Sequence, residues 1–99
     1  MEVLVPILCV DDEPHILEGL SRALWEKFAV TTALSGAEGL ELLRTSGPFA
    51  VVVSDMRMPR MDGATFLGLA RQEAPDTSRV LLTGQTDPGL TLTGGGGHA

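Results

Sequence analysis

The sequence alternates short apolar runs with segments whose apolar residues recur at helical spacing, and this alternation constrains the fold more than any other feature. Four runs predict strands, at 7–10, Phe28–Ala33, 49–54 and 79–82. Three intervening segments predict helices, at 14–27, 35–45 and 63–74. Strands that alternate with helices are typical of βαβ units around a parallel sheet, so we expect an α/β fold. The unbroken valines at 51–53 predict a central strand that is buried on both faces.

Local signals place the ends of several elements. Pro6 lacks a backbone donor and is expected at the entrance of the first strand. Pro14 suits the first position of a helix, which Asp12 or Glu13 is expected to cap. Ser35 and Glu38 have the spacing of a capping box and predict the start of the second helix.

Length and charge restrict the classes of function. The 99 residues allow one modest domain, and the formal net charge is −6 with only seven lysines and arginines. Nucleic acids and anionic membranes are bound through basic patches, so we expect neither as a partner. No apolar run is long enough to span a bilayer and no signal peptide opens the chain, which predicts a cytoplasmic protein. The single cysteine, Cys9, lies in an apolar run and is expected to be a buried thiol.

Polar side chains follow three of the predicted strands. Asp11 and Asp12 follow the first strand, Asp55 follows the third, and Thr83 follows the fourth. Ligands of open α/β sheets bind beyond the carboxyl ends of the strands, so we expect these side chains at one edge. Acidic residues after strands also serve as helix caps, and that alternative stays open for each of them alone.

Clustered carboxylates resist ionisation unless a cation joins them, and oxygen-only ligands suit Mg²⁺. The pattern therefore predicts a Mg²⁺ site built from Asp11, Asp12 and Asp55. Carboxylates also form aspartyl-phosphate intermediates, which makes Asp55, at the tip of the buried strand, the candidate nucleophile. The Thr83 hydroxyl is then placed to donate a hydrogen bond to a phosphoryl oxygen.

Three motifs together resemble one known family. The segment ILCVDDEP at 7–14 resembles the opening of a response-regulator receiver domain of two-component signalling. SDMRMP at 54–59 with MDG at 61–63 resembles the phosphorylation loop of that family, and VLLTG at 80–84 resembles its fourth strand and switch threonine.

The resemblance implies a flavodoxin-like (CheY-like) fold with a parallel sheet and flanking helices. It implies a phosphoprotein in a phosphorelay, not an enzyme, that takes a phosphoryl group from a histidine kinase and signals by conformational or oligomeric change. By this resemblance, Asp55 is the phosphoacceptor and Thr83 the switch hydroxyl. Asp11, Asp12, Asp55 and the backbone carbonyl of Arg57 are the implied Mg²⁺ ligands.

The sequence departs from the family at its carboxyl end. Receiver domains continue with a helix, a fifth strand that ends in Lys-Pro, and a last helix, whereas the only lysine here is Lys27. We therefore expect a receiver-like unit at 1–84 and a glycine-rich tail or altered C-terminus at 85–99. An apolar fourth strand without a neighbour predicts an exposed edge that favours a homodimer. A replacement edge strand within 90–93 is the competing expectation.

Three other functions are alternatives to the phosphoacceptor. A degenerate receiver would act as an interaction or dimerisation module without phosphorylation, and the missing lysine favours it. A phosphohydrolase of the haloacid dehalogenase type needs a second carboxylate two residues after its nucleophile, where this sequence has Arg57. A P-loop nucleotide binder is disfavoured because no glycine-rich loop follows the first strand.

Overall fold

The computed structural model describes residues 4–82 and 93–94, and it contains a five-stranded sheet with three helices. The strands are β1 (Val5–Val10), β2 (Phe28–Ala33), β3 (Val51–Asp55), β4 (Ser78–Leu82) and β5 (Thr93–Gly94). The helices are α1 (Pro14–Leu24), α2 (Gly36–Thr45) and α3 (Gly63–Glu73). The sheet order is β2-β1-β3-β4-β5, with β1 to β4 parallel. The predicted α/β, flavodoxin-like fold is confirmed.

Several predicted element ends differ from those in the structure. β1 includes Pro6, whose carbonyl accepts the N–H of Ala50 at 2.8 Å. β3 begins at Val51 and includes Asp55. α1 ends at Leu24, because the N–H of Lys27 turns back to the Leu24 carbonyl at 3.0 Å.

The capping predictions have opposite outcomes. The predicted start of α2 is confirmed, since the N-cap Ser35 Oγ accepts the Glu38 N–H at 3.1 Å. Glu38 Oε1 accepts the N–H of Leu34, one residue before the N-cap, at 2.8 Å. The carboxylate cap predicted for α1 is wrong. Glu13 occupies the N-cap position without a capping hydrogen bond, and its own N–H donates to Asp11 Oδ1 at 2.9 Å.

The two faces of the sheet are covered unequally. α2 and α3 pack over one face around a buried cluster that includes Leu8, Val10, Val52 and Phe66. Among the described residues, α1 is the one helix that covers the other face, over Ile7 and Cys9. Val51 and Val53 face the α1 side and are only half-buried. The core is therefore thicker on the α2–α3 side.

The outer edge of β4 is not wholly free. β5 pairs antiparallel with β4, with Thr93 opposite Leu81 and Gly94 opposite Val80. The expectation of a fully exposed fourth-strand edge is therefore wrong at these two residues, and 93–94 of the predicted tail return to the sheet. The predicted boundary at residue 84 stays a prediction. Residues 90–92 of the predicted replacement strand lie outside the described residues.

The longest helices, α1 and α3, have 11 residues each. Within the part of the chain that the structure describes, no helix has both the length and the apolar character needed to cross a membrane.

Candidate functional site

Asp11 and Asp55 come together because β1 and β3 are neighbouring parallel strands. Val10 lies opposite Ser54 in the register, so Asp11 and Asp55, which follow them, lie side by side at the carboxyl ends of the two strands. One carboxylate oxygen from each of Asp11, Asp12 and Asp55 lies within 4.8 Å of the other two. The structure thus gathers the three carboxylates at one place, in agreement with the sequence pattern.

Each strand-end aspartate also organises the loop that follows it. Asp11 Oδ1 accepts the N–H of Glu13 at 2.9 Å, and Asp55 Oδ2 accepts the N–H of Arg57 at 3.0 Å. Both bonds join an aspartate to the backbone two residues on, as in an Asx turn. The backbone of Asp11 is anchored as well, since its N–H donates to the Ala33 carbonyl of β2 at 3.1 Å. The carboxylates are therefore oriented before any ligand binds.

Asp11 is the most buried of the three aspartates. Asp11 is 5% exposed, and this burial is the largest cause of the raised pKa of its carboxyl group. The Glu13 N–H opposes this change, whereas the charges of Asp55, Asp12 and Glu13 raise the pKa further. The site therefore holds negative charge at an energetic cost that a cation would relieve.

The donor set fits Mg²⁺. All three side chains offer hard carboxylate oxygens, and Asp12 and Asp55 are half-buried, which leaves room for water and a further ligand. Within the described part of the chain, no arginine or lysine forms an ion pair with any of the three. Acidic groups without a basic partner favour a divalent cation over an internal salt bridge.

The roles of Thr83 and of the Arg57 carbonyl remain predictions, and Lys27 lies away from the site. Thr83 lies outside the described residues, so its position relative to Asp55 stays a prediction. Arg57 donates its N–H to Asp55, while its carbonyl as a Mg²⁺ ligand also stays a prediction. Lys27 directly precedes β2, at the opposite edge of the sheet from the three carboxylates.

Sequence reasoning missed two residues beneath Asp55. Ser54 is fully buried, and its hydroxyl donates to the Asp55 carbonyl at 2.9 Å. Gly63 lies so close to the same carbonyl oxygen that a Cβ at Gly63 would collide with it. The available signals were a serine in an otherwise apolar run, and a glycine directly after the Asp62 cap of α3.

Comparison with known proteins supports one family. The sequence matches the response regulator receiver domain over residues 7–94. It is 38% identical over 81 residues to the hydrogenase transcriptional regulatory protein HoxA of Cupriavidus necator, covering 82% of this chain and 17% of HoxA. The chain thus spans about a sixth of that relative's length.

Solved structures agree with the sequence match. A structure described as an adenylate cyclase from Rhodopirellula baltica is 41% identical with a TM-score of 0.80, covering 87% of this chain and 64% of that one. The signal receiver domain of an HD domain-containing protein from Pseudomonas fluorescens is 35% identical with a TM-score of 0.78, covering 86% and 68%.

Proposed function

This chain belongs to the response regulator receiver domain family, and on that premise we propose that it accepts a phosphoryl group from a histidine kinase on Asp55. Receiver domains are signalling modules of two-component systems and not classical enzymes. The observation that carries the proposal is the convergence of Asp11, Asp12 and Asp55 within 4.8 Å of one another. An intact acidic cluster favours a phosphoacceptor over a degenerate interaction module.

We assign Mg²⁺ to the side chains of Asp11, Asp12 and Asp55 and to the Arg57 carbonyl. When bound, Mg²⁺ supplies positive charge that offsets the charge of a transferring phosphoryl group. Asp11 contributes a buried carboxylate whose pKa is raised first by burial and then by the charges of Asp55, Asp12 and Glu13, so a cation at this ligand relieves an unfavourable charge. Removal of Asp11 is therefore expected to weaken Mg²⁺ binding strongly.

Asp55 performs the covalent step. A carboxylate oxygen of Asp55 attacks the phosphorus of the kinase phosphohistidine, a P–O bond forms, and the P–N bond breaks. The electron pair of the P–N bond leaves on the histidine nitrogen, which takes up a proton. The Arg57 N–H holds the Asp55 carboxylate in one orientation, which favours attack along a single direction. Thr83 then donates its hydroxyl to a phosphoryl oxygen.

The remaining parts of the proposal concern context. We place the protein in the cytoplasm with a histidine kinase as partner, and we expect no nucleic acid partner because the net charge is −6. We also propose a homodimer through the β4 side of the sheet, where apolar side chains of β3 and β4 are half-buried among the described residues.

Intact-protein mass spectrometry tests the proposal directly. Incubation with acetyl phosphate and Mg²⁺ is expected to add one phosphoryl group to the wild type and none to Asp55→Asn. Asp76→Asn, which changes an exposed carboxylate in the α3–β4 loop, is the matched control and is expected to be modified like the wild type. A folded wild type that binds Mg²⁺ but gains no phosphoryl group would contradict the proposal.

A further inference from the structure

Ser54 is an unusual residue for the centre of this sheet. It is 0% exposed in a strand whose other interior residues are valines. Asp11, Ser54 and Thr77 are the buried polar residues of the described chain, and each makes a hydrogen bond to backbone. The hydroxyl of Ser54 therefore has a specific acceptor, which is the carbonyl oxygen of Asp55 at 2.9 Å.

The peptide group between Asp55 and Met56 is held at both of its ends. Its carbonyl accepts the Ser54 hydroxyl, and its N–H donates to the Leu82 carbonyl of β4 at 3.0 Å. Because a peptide group is planar, two such bonds define its orientation. The neighbouring Met56 carbonyl accepts the Gly63 N–H at 2.8 Å, which closes the loop over the strand end.

Gly63 limits the position of this peptide group from the helix side. A Cβ built at Gly63 would collide with the Asp55 carbonyl oxygen and would lie 2.9 Å from Leu81 Cδ1. Only a glycine allows α3 to begin this close to the end of β3. The Asp55 carbonyl is therefore enclosed by the Ser54 hydroxyl and the Gly63 Cα.

We propose that Ser54 and Gly63 are positioning residues, which orient the Asp55–Met56 peptide so that the Asp55 carboxylate meets those of Asp11 and Asp12. The inference rests on the proposed function of Asp55. Neither residue touches a ligand, and both act through the Asp55 backbone. Without the Ser54 bond, the peptide rotates more freely, and the carboxylate at its end spreads over a wider range of positions. Misplacement of a reacting group by about 1 Å can slow a reaction roughly a hundredfold.

The experiment compares two buried hydroxyls, that of Ser54 near the carboxyl end of β3 and that of Thr77, which bonds to the backbone just before β3. Ser54→Ala removes the bond to Asp55, whereas Thr77→Val removes the 2.7 Å bond from Thr77 Oγ1 to the Phe49 carbonyl, remote from the carboxylates. Mg²⁺ affinity is measured by calorimetry, and the rate of phosphorylation by acetyl phosphate is measured at saturating Mg²⁺. Urea unfolding of both variants reports their stability. Ser54→Thr, which keeps the hydroxyl, is the rescue variant, and Gly63→Ala tests the second contact.

We expect Ser54→Ala and Gly63→Ala to reduce Mg²⁺ affinity and phosphorylation rate by roughly tenfold or more, with Thr77→Val within about twofold of the wild type. Ser54→Thr should recover most of the loss. If Ser54→Ala does not fold, Ser54→Cys keeps the side-chain size with a weaker donor and replaces it. Equal stability losses in Ser54→Ala and Thr77→Val with unchanged Mg²⁺ affinity and rate would overturn the positioning role.

The two proposals fail in different ways. A wild type that binds Mg²⁺ without accepting phosphate contradicts the proposed function, while the Mg²⁺ affinities of the variants still decide the positioning role. A wild type that binds no Mg²⁺ overturns both. A wild type that accepts phosphate with an unaffected Ser54→Ala overturns the positioning role alone.

Discussion

At Asp11, burial and neighbouring negative charge raise the pKa of one carboxyl group together. The Glu13 N–H offsets only part of this effect, so the folded chain carries repulsion at the site when no cation is bound. Sites of this kind commonly trade stability for function, because the repelling groups are needed by the ligand. We therefore expect Mg²⁺ to raise the free energy of unfolding, and we expect this stabilisation to require Asp11.

Asp11→Asn is expected to raise the free energy of unfolding without Mg²⁺ by on the order of 1 kcal/mol, the scale of one charge interaction at this distance. The amide oxygen still accepts the Glu13 N–H, so the loop keeps its hydrogen bond. Mg²⁺ should then stabilise the wild type and fail to stabilise the variant. Urea unfolding with and without Mg²⁺ measures both effects.

Asp76→Asn serves as the control, because it removes an exposed carboxylate away from the site. It should leave the Mg²⁺-dependent stabilisation intact. An Asp11→Asn variant that Mg²⁺ stabilises as much as the wild type would remove Asp11 from the proposed metal ligands.

Cys9 is fully buried, and burial raises the pKa of its thiol from an ordinary value of 9.0 to about 11. Since the unfolded thiol ionises first, stability is complete below about pH 9 and falls between pH 9 and about 11. The expected slope approaches about 1.4 kcal/mol per pH unit. The chain has no tyrosine and one lysine, so few other groups titrate there.

Urea unfolding across this pH range checks the Cys9 prediction. Cys9→Ala should be less stable than the wild type near neutral pH, because it leaves a cavity, yet it should lack the alkaline loss. Parallel pH profiles of the two proteins would show that the thiol does not ionise on unfolding.

At the scale of elements, the glycines of α2 and α3 have different amounts of space around them. Gly39 of α2 faces Phe66 of α3, and a Cβ there would lie 2.9 Å from a ring carbon and 3.1 Å from Val10. Gly68 of α3 has open space around its Cα. The same residue type therefore permits close helix packing at one position and only weakens the helix at the other.

Gly68→Ala is expected to raise the free energy of unfolding by about 0.5 to 1 kcal/mol, because alanine restricts the unfolded chain and favours the helix. Gly39→Ala is expected to lower it by about 1 to 3 kcal/mol through overpacking against Phe66 and Val10. Thermal unfolding of the two variants beside the wild type measures both signs. A stabilising Gly39→Ala would contradict the close contact between α2 and α3.

At the scale of the whole molecule, the unequal cover of the sheet leaves apolar surface on one side. α1 packs over β1 and β2, while Val51 and Val53 of β3 and Val80 and Leu82 of β4 stay half-buried among the described residues. β5 pairs with β4 at Val80 and Leu81. Half-buried apolar side chains at the side of a sheet favour association with another chain.

We expect the melting temperature to rise with protein concentration, because a dimer that buries this surface is favoured by mass action. Sedimentation velocity over a roughly hundredfold range of concentration measures the same equilibrium. A monomer at every concentration, with an unchanging melting temperature, would contradict the proposed homodimer.

Patterns that are local along the chain were readable from the sequence. The apolar runs located β1 to β4, the Ser35–Glu38 spacing located the start of α2, and the residues after the strands located the three carboxylates. These features depend on a few neighbouring residues and on the rule that parallel strands end at one edge. The α1 cap was mispredicted: Glu13 makes no side-chain cap, and its N–H donates to Asp11, two residues earlier.

The sequence by itself determined the α/β order of elements and the three aspartates of the site. Only the tertiary structure decided that Ser54 and Gly63 enclose the Asp55 carbonyl and that β5 returns to β4. The physical reason is separation along the chain. Gly63 reaches Asp55 through a loop, and Gly94 reaches Val80 across 14 positions, so no local spacing encodes either contact.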